Sequence, residues 1–207
     1  MLSGCGLLLV SVPAMATLIE TQTVPPTATM WTETLDFAQY NPADNDGKAL
    51  LQVNVLLEME VTGEVTFTGS NTTINTGNAG GSLAVTGPGG IDVSVEAVKQ
   101  IAPPAIQLVS GQPVVIGIDT SDSVLYQFTG AAILAASTGT GTVPYDLVAD
   151  GLLTLKITGG NISVNQNTTV GASVTVEYIP IPEPASLALM LVGGLGLLIG
   201  CGGGRRP

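Results

Sequence analysis

Apolar and polar residues alternate along most of the chain between its two ends, which is the period of a strand with one buried face. The longest such run is LLQVNVLLEMEV, at 50–61. Its apolar side consists of Leu51, Val53, Val55, Leu57, Met59 and Val61, and its polar side of Gln52, Asn54, Glu58 and Glu60. The run predicts a strand that packs its apolar side into a core.

Three later runs repeat this period, at 91–99, 152–158 and 172–178. Clusters rich in Gly, Pro and Asn predict turns at 68–81, 87–90, 102–104 and 139–144. Between residues 17 and 180 only 130–137 favours a helix. About ten short strands with one polar side each predict an all-β domain over 17–180, an antiparallel β-sandwich of jelly-roll type.

The alternation also predicts which side chains form the core of this sandwich. They are Trp31, Phe37, Leu51, Val53, Val55, Ile91, Val93, Leu155 and Val176.

The N-terminal segment 1–16 predicts a signal peptide. A short apolar run ends at Val12, and Ala14 and Ala16 fit the small-x-small rule for cleavage after Ala16. Pro13 argues against the alternative of a buried helix. The stretch ending at Cys5 also matches a lipobox, so lipidation of Cys5 stays open as a second interpretation, although this lipobox precedes the apolar run.

The C-terminal segment 181–207 has three consecutive features. Pro182, Glu183 and Pro184 form a PEP triplet, residues 185–204 carry no charge, and Arg205 and Arg206 follow. Twenty uncharged residues make a helix of about 30 Å, enough to cross a bilayer. The arginines predict that this end stays in the cytoplasm and that the preceding domain lies outside.

This order of triplet, apolar helix and basic tail resembles the PEP-CTERM sorting signal. The resemblance implies recognition by exosortase, a membrane-embedded cysteine transpeptidase that is thought to cut near the triplet. It also implies a Gram-negative bacterial envelope and an association with exopolysaccharide. The two prolines favour an extended, unpaired backbone, which suits presentation to a processing enzyme.

The opening of the central domain resembles choice-of-anchor E domains. The matching positions are Trp31, Phe37, Tyr40, Asn41, Pro42 and Gly47, followed by the long alternating strand. Asn41 stands where that family usually has Asp. The resemblance implies export and anchoring and assigns no chemistry.

Charge is uneven along the chain. All sixteen acidic residues lie between Glu20 and Glu183 among three lysines, so this region carries −13, against −11 for the whole chain. Such a surface repels phosphates, so we expect no nucleic-acid partner. The chain has no His, and both Cys residues lie in the terminal segments. These facts exclude a Ser-His or Cys-His nucleophile in the domain, and we expect no cofactor, no metal site and no enzymatic activity.

Two carboxylate pairs keep a hydrolase hypothesis open, because paired acids can hydrolyse glycosides. They are Glu58 with Glu60, and Asp119 with Asp122. A solvated surface is the simpler interpretation of both pairs. The stretch 41–47 resembles an acidic calcium loop, but Val53 stands where a bidentate Glu is required, so we predict an ordinary turn. Weak calcium binding stays open.

Three N-x-[ST] sequons, at Asn71, Asn161 and Asn167, predict glycan acceptors in turns.

The sequence therefore predicts an exported, exosortase-processed protein with a structural or adhesive role at the cell surface or in a biofilm matrix. Its partners would be the Sec translocon, exosortase, the inner membrane before processing, and exopolysaccharide. The alternative is a carbohydrate-binding module or a carboxylate-based glycoside hydrolase.

Overall fold

The computed structural model describes residues 17–102 and 104–182. The strands are β1 (Leu18–Ala28), β2 (Trp31–Ala38), β3 (Leu50–Gly87), β4 (Ile91–Ala102), β5 (Ile106–Leu108), β6 (Val114–Phe128) and β7 (Thr142–Pro180). One short helix, α1 (Ala131–Ala136), and two 3-10 turns, Pro42–Asn45 and Pro88–Gly90, connect them. The all-β prediction is confirmed, and α1 lies where the sequence favours a helix.

β3 and β7 form a long antiparallel ribbon on which the fold is built. They pair from Leu50 opposite Pro180 to Thr86 opposite Asp146. The other strands add to the two sides of this ribbon, at one half or the other. The hydrogen-bonded sheet is therefore continuous, and it folds over on itself.

The ribbon divides the sheet into two layers. In layer 1, β1 pairs with the end of β7, and β6 pairs with the start of β3, giving the order β1–β7–β3–β6. In layer 2, β2 pairs with the start of β7, and β4 pairs with the end of β3, giving the order β2–β7–β3–β4. The layers enclose one hydrophobic cluster between them, which makes the fold β-sandwich-like.

Side chains link the two layers along both of their open sides. On one side, Glu20 of β1 accepts a hydrogen bond from the backbone N–H of Ala38, the last residue of β2, at 2.9 Å. On the other side, Lys99 of β4 donates its Nζ to the carbonyl of Gly117 in β6 at 2.9 Å. Bonds of this kind occupy backbone groups that an edge strand would otherwise offer to another chain.

Most of the predicted core residues are buried. Those fully or almost fully buried are Phe37, Val53, Val55, Ile91, Val93 and Val176. Trp31 and Leu155 are partly buried and pack against the same cluster.

The predicted burial of Leu51 is wrong. Leu51 is 43% exposed, whereas Leu50 is 7% exposed and belongs to the core. The pairing of β3 with β7 shifts register between Leu50 and Gln52, so Leu51 is the extra residue of a β-bulge. A bulge turns its extra residue out of the regular alternation, which a strict period of two cannot anticipate.

The predicted turn at 68–81 is also wrong, because β3 continues through it. The glycines there serve close packing. A Cβ on Gly80 would lie 2.0 Å from the carbonyl oxygen of Ala97, and one on Gly81 would crowd Val170 and Val61 in layer 1. The predicted turn at 87–90 is confirmed. The predicted turn at 139–144 is confirmed only up to 141 and is wrong for 142–144, because β7 begins at Thr142.

Among residues 17–102 and 104–182, no helix is long and apolar enough to cross a membrane.

Candidate functional site

Both ends of the described chain leave the fold at the same place, which we call the exit pole and define by Leu18, Ala49 and Ile181. Leu18, the first residue of β1, pairs with Tyr178 near the end of β7. Beyond β7, the N–H of Ile181 donates to the carbonyl of Ala49 at 2.8 Å. The segments predicted as signal peptide and sorting signal therefore both join the domain at this pole.

The PEP triplet begins directly after the last hydrogen bond of the domain. Pro182 follows Ile181 and is half-buried, so no linker separates the fold from the triplet. The other residues of the predicted signals are Glu183, Pro184, Arg205, Arg206, Ala14, Ala16 and Cys5. They lie outside the described residues.

The residues that resemble choice-of-anchor E domains have structural roles in the fold. Phe37 and Tyr40 are fully buried. The ring of Phe37 meets that of Tyr145 edge-on at 5.1 Å, and the Tyr40 hydroxyl donates to the carbonyl of Lys48 at 3.1 Å. Trp31 donates its Nε1 to the carbonyl of Val170, which ties β2 of layer 2 to β7 of layer 1 at 3.2 Å.

The stretch 41–47 folds as the predicted turn. Asn41 caps the 3-10 helix Pro42–Asn45 by accepting from the N–H of Ala43 at 3.1 Å. The side-chain amide of Asn41 also donates to the Asp44 carboxylate at 2.7 Å. This hydrogen bond uses a carboxylate oxygen that a bound cation would need as a ligand. Asp46 adopts the left-handed conformation, with φ 56°. Within the described part of the chain, no three acidic or other metal-ligating side chains gather closely enough to hold a metal ion.

Two tyrosine hydroxyls in the core are buried without a hydrogen-bond partner among the described residues, those of Tyr145 and Tyr178. Burial raises the pKa of Tyr178 to about 12, with a smaller contribution from the charge of Glu20. Burial, and then the proximity of Tyr178, raises the pKa of Tyr145 well above its usual range. Burial likewise raises the pKa of Tyr40. These groups are neutral core residues at any ordinary pH.

A groove of about 660 Å³ with both polar and apolar lining residues crosses the outer face of layer 1. Its walls include Glu58, Glu60 and Asp122, and small residues of β7 such as Gly171 and Ser173 also line it. The structure thus brings one predicted carboxylate pair, Glu58 with Glu60, into a shared groove. It separates the other, because Asp119 does not line it.

The groove offers no aromatic side chain among its lining residues. Sugar sites usually stack a ring of the ligand on such a side chain. Trp31 is half-buried, and its indole N–H donates to the carbonyl of Val170. The hydroxyl of Tyr126 donates to the carbonyl of Ser94. The groove itself was not foreseen, because the alternation does not say which strands lie side by side.

The three sequon asparagines are exposed, but the prediction that they lie in turns is wrong. Asn71 is in β3, where it adopts the left-handed conformation with φ 51°. Asn161 and Asn167 are in β7. Ser70 pairs with Asn161, so two of the three sequons lie beside each other where the ribbon passes from layer 1 to layer 2. This bend lies at the other end of layer 1 from the exit pole.

Neither a protein-family model nor a curated protein sequence matches this chain. Among solved structures, the chain is similar to that of the Gx strain of infectious bursal disease virus, at 13% identity and a TM-score of 0.17. It is similar to a mutant VP2 protein of the same virus, in derived T=1 particles, at 13% identity and a TM-score of 0.19. The alignments cover 84% of this chain but only 48% and 47% of the viral chains, so this chain spans about half their length. A third similar structure, the parasporin-2 toxin of Bacillus thuringiensis, is 9% identical, with 81% of this chain and 69% of the toxin covered and a TM-score of 0.12.

Proposed function

We propose that this chain is an exported structural or adhesive protein of a Gram-negative bacterial envelope that exosortase cuts near Pro182–Pro184. The observation that carries the proposal is the exit pole. Leu18 and Ile181 leave the domain side by side, next to the predicted cleavage site after Ala16 and the PEP triplet. A domain built in this way can be attached through its ends and still present the rest of its surface.

The membrane step rests on the uncharged segment 185–204. We propose that it forms a single transmembrane helix after export through the Sec translocon, with Arg205 and Arg206 on the cytoplasmic side. An uncut helix of this length would keep the chain in the inner membrane. Delivery to the cell surface or an exopolysaccharide matrix therefore requires the cut.

We propose that the sandwich is a jelly roll. The support is the strand order. Each half of the β3–β7 ribbon forms the centre of one layer, and the outer strands β1, β2, β4 and β6 pair with its edges. β1 belongs to layer 1, β2 belongs to layer 2, and β3 contributes to both layers. Two interleaved Greek keys require this alternation between the layers. A jelly roll supplies a stable exported body without disulfides.

A non-catalytic role agrees with the chemistry of the described domain, which contains neither His nor Cys. The groove with Glu58 and Glu60 favours one second candidate, a saccharide-binding or hydrolysing surface. Assays of the purified protein on soluble polysaccharides distinguish the two. Binding or hydrolysis that Glu58→Gln abolishes, while Glu64→Gln on the same strand leaves it intact, would favour the second candidate.

The experiment for the proposal replaces Pro182, Glu183 and Pro184 with alanines in a strain with active exosortase. The variant should stay in the inner membrane at full length, because the replacement keeps the apolar segment and removes the extended triplet. Replacing Ala185 and Ser186 with Leu is the matched control, which keeps the triplet and should be released as the wild type is. A simple membrane anchor predicts that all three proteins have the same length and location.

A further inference from the structure

Aliphatic side chains are exposed together at the exit pole. Ile19 is 56% exposed, Leu51 is 43% exposed and Ile181 is 45% exposed. They belong to three neighbouring strands or their ends, because Ile19 pairs with Glu177 of β7 and the N–H of Ile181 bonds to Ala49 just before β3. Ile179, half-buried, lies between them. We call these four residues the apolar tip.

The bulge at Leu51 enlarges this tip. Regular alternation would place Leu51 in the core, and the extra residue between Leu50 and Gln52 turns it outward instead. Bulges at strand ends often serve to redirect one side chain. An aliphatic side chain turned toward water at the end of a strand costs stability, unless another surface covers it.

Polar side chains lie directly beside the tip, because Glu177 pairs with Ile19 and Gln52 pairs with Ile179. Gln52 donates to Asn54, and Asn54 donates to Glu177 at 2.8 Å. This chain of hydrogen bonds crosses from β3 to β7 on the outer face of layer 1. The pole thus carries apolar and polar side chains side by side, a mixture that suits a shallow contact with a membrane interface.

We propose that the apolar tip rests on the lipid surface while segment 185–204 holds the chain in the membrane. The proposal depends on that segment being the membrane anchor, as proposed above. Four peptide units separate Ile181 from Ala185, and an extended chain of this length spans about 14 Å. The fold ends at Ile181, so its exit pole cannot lie farther than this from the point where the anchor begins.

The acidic charge of the domain determines which lipid headgroups the tip can approach. With −13 on residues 20–183, the domain is repelled by anionic headgroups, so the tip is suited to a zwitterionic surface. The contact would hold the PEP triplet at the interface, within reach of a membrane-embedded processing enzyme.

Fluorescence quenching by brominated phosphatidylcholine tests this contact with the full chain in vesicles. The single tryptophan is first removed as Trp31→Phe, and circular dichroism verifies that this background is folded. Leu51→Trp and Ile19→Trp then report on the tip. Val115→Trp is the matched control, because Val115 is 53% exposed in the same layer but pairs with Thr66, fifteen residues farther along β3 than Leu51. Leu195→Trp reports on the anchor itself.

We expect quenching at the two tip reporters to exceed that at Val115→Trp by about twofold or more, as for side chains at an interface. Adding anionic phosphatidylglycerol should reduce this difference. If Leu195→Trp is quenched and neither tip reporter exceeds Val115→Trp, the contact is wrong and the anchor stands. If Leu195→Trp is not quenched, the membrane anchor is wrong and the contact falls with it.

Discussion

Leu50 and Leu51 are neighbours of identical chemistry in opposite environments, one in the core and the other in solvent. The alternation along 51–61 identifies the correct side for Val53 to Val61 and the wrong side for Leu51. The difference arises from one unpaired residue opposite Ile179 and Pro180. Sequence period alone cannot locate a bulge, because the bulge depends on the partner strand.

Truncating each leucine in turn tests this assignment. Leu50→Ala should lower the free energy of unfolding by about 2–5 kcal/mol, because it leaves a cavity in the core. Leu51→Ala should change it by about 0.5 kcal/mol or less, as for an exposed residue. Urea denaturation of the two variants measures both values. Equal effects, or a larger effect at Leu51, would contradict the bulge.

The alternation places Tyr178 in the core but does not show whether its hydroxyl finds a hydrogen-bond partner there. Among the described residues the buried hydroxyls of Tyr145 and Tyr178 have no hydrogen-bond partner, which costs free energy of folding. Tyr178→Phe removes such a group and keeps the ring, so it should leave stability unchanged or raise it by about 1 kcal/mol. Tyr178→Ala should lower it by about 3–5 kcal/mol. A clear loss in Tyr178→Phe, measured by thermal unfolding, would indicate that its hydroxyl has a partner.

The same tyrosines predict how stability depends on alkaline pH. The pKa of Tyr178 is about 12 in the fold and about 10 in an unfolded chain. The folded state therefore holds its proton more tightly, and this contribution to stability is complete below pH 10 and lost as the pH rises toward 12. Tyrosinate absorbance and circular dichroism should change together in this range. Full ionisation of all four tyrosines in a domain that keeps its strand signal would contradict the burial.

At the scale of elements, the β3–β7 ribbon decides the architecture. The alternation predicts its pieces well, since Ile91 to Ala97 and Val174 to Tyr178 face inward as expected. It fails where glycine and asparagine cluster, because those residues suggest a turn when the strand in fact bends between layers. Which interpretation is correct depends on the strands that pair on either side of 68–81, and single-sequence patterns do not contain that information.

Gly159 lies at this bend and gives a test of it. Its φ is 96°, and a Cβ there would lie 2.3 Å from the carbonyl oxygen of Asn71 across the ribbon. Gly159→Ala should therefore lower the free energy of unfolding by more than about 2 kcal/mol, through both backbone strain and the clash. Gly90→Ala is the matched control, with φ 91° and nothing within 4 Å, and should cost only about 1 kcal/mol. Equal losses would show that the two strands do not approach as described.

At the scale of the whole molecule, the main feature is the excess of acidic over basic residues. Lys48 and Asp46 form an ion pair at 3.5 Å, but three lysines cannot neutralise the acidic residues of the domain. The acidic side chains of the strands are exposed or partly exposed, so their mutual repulsion opposes folding. This property was readable from composition alone, whereas the exit pole became visible only from the pairing of β1 with β7.

Salt should therefore stabilise the protein. Raising NaCl from about 10 mM to about 0.5 M shortens the Debye length from about 30 Å to a few ångströms. The melting temperature should rise by about 2–4 °C, the shift that corresponds to about 1 kcal/mol in a chain of this size. The double variant Glu58→Gln/Glu60→Gln should show a smaller rise. A melting temperature that is independent of salt would contradict the role of repulsion.

The central claim is that the chain is cut at the boundary between its folded domain and its apolar C-terminal segment. Mass spectrometry of the wild-type protein extracted from the cell surface tests it most directly, in a strain with active exosortase. We expect a C-terminus at or near Pro184, two residues beyond the last described residue, and no peptide from 185–207. A surface protein that still carries Arg205 and Arg206 would contradict the account.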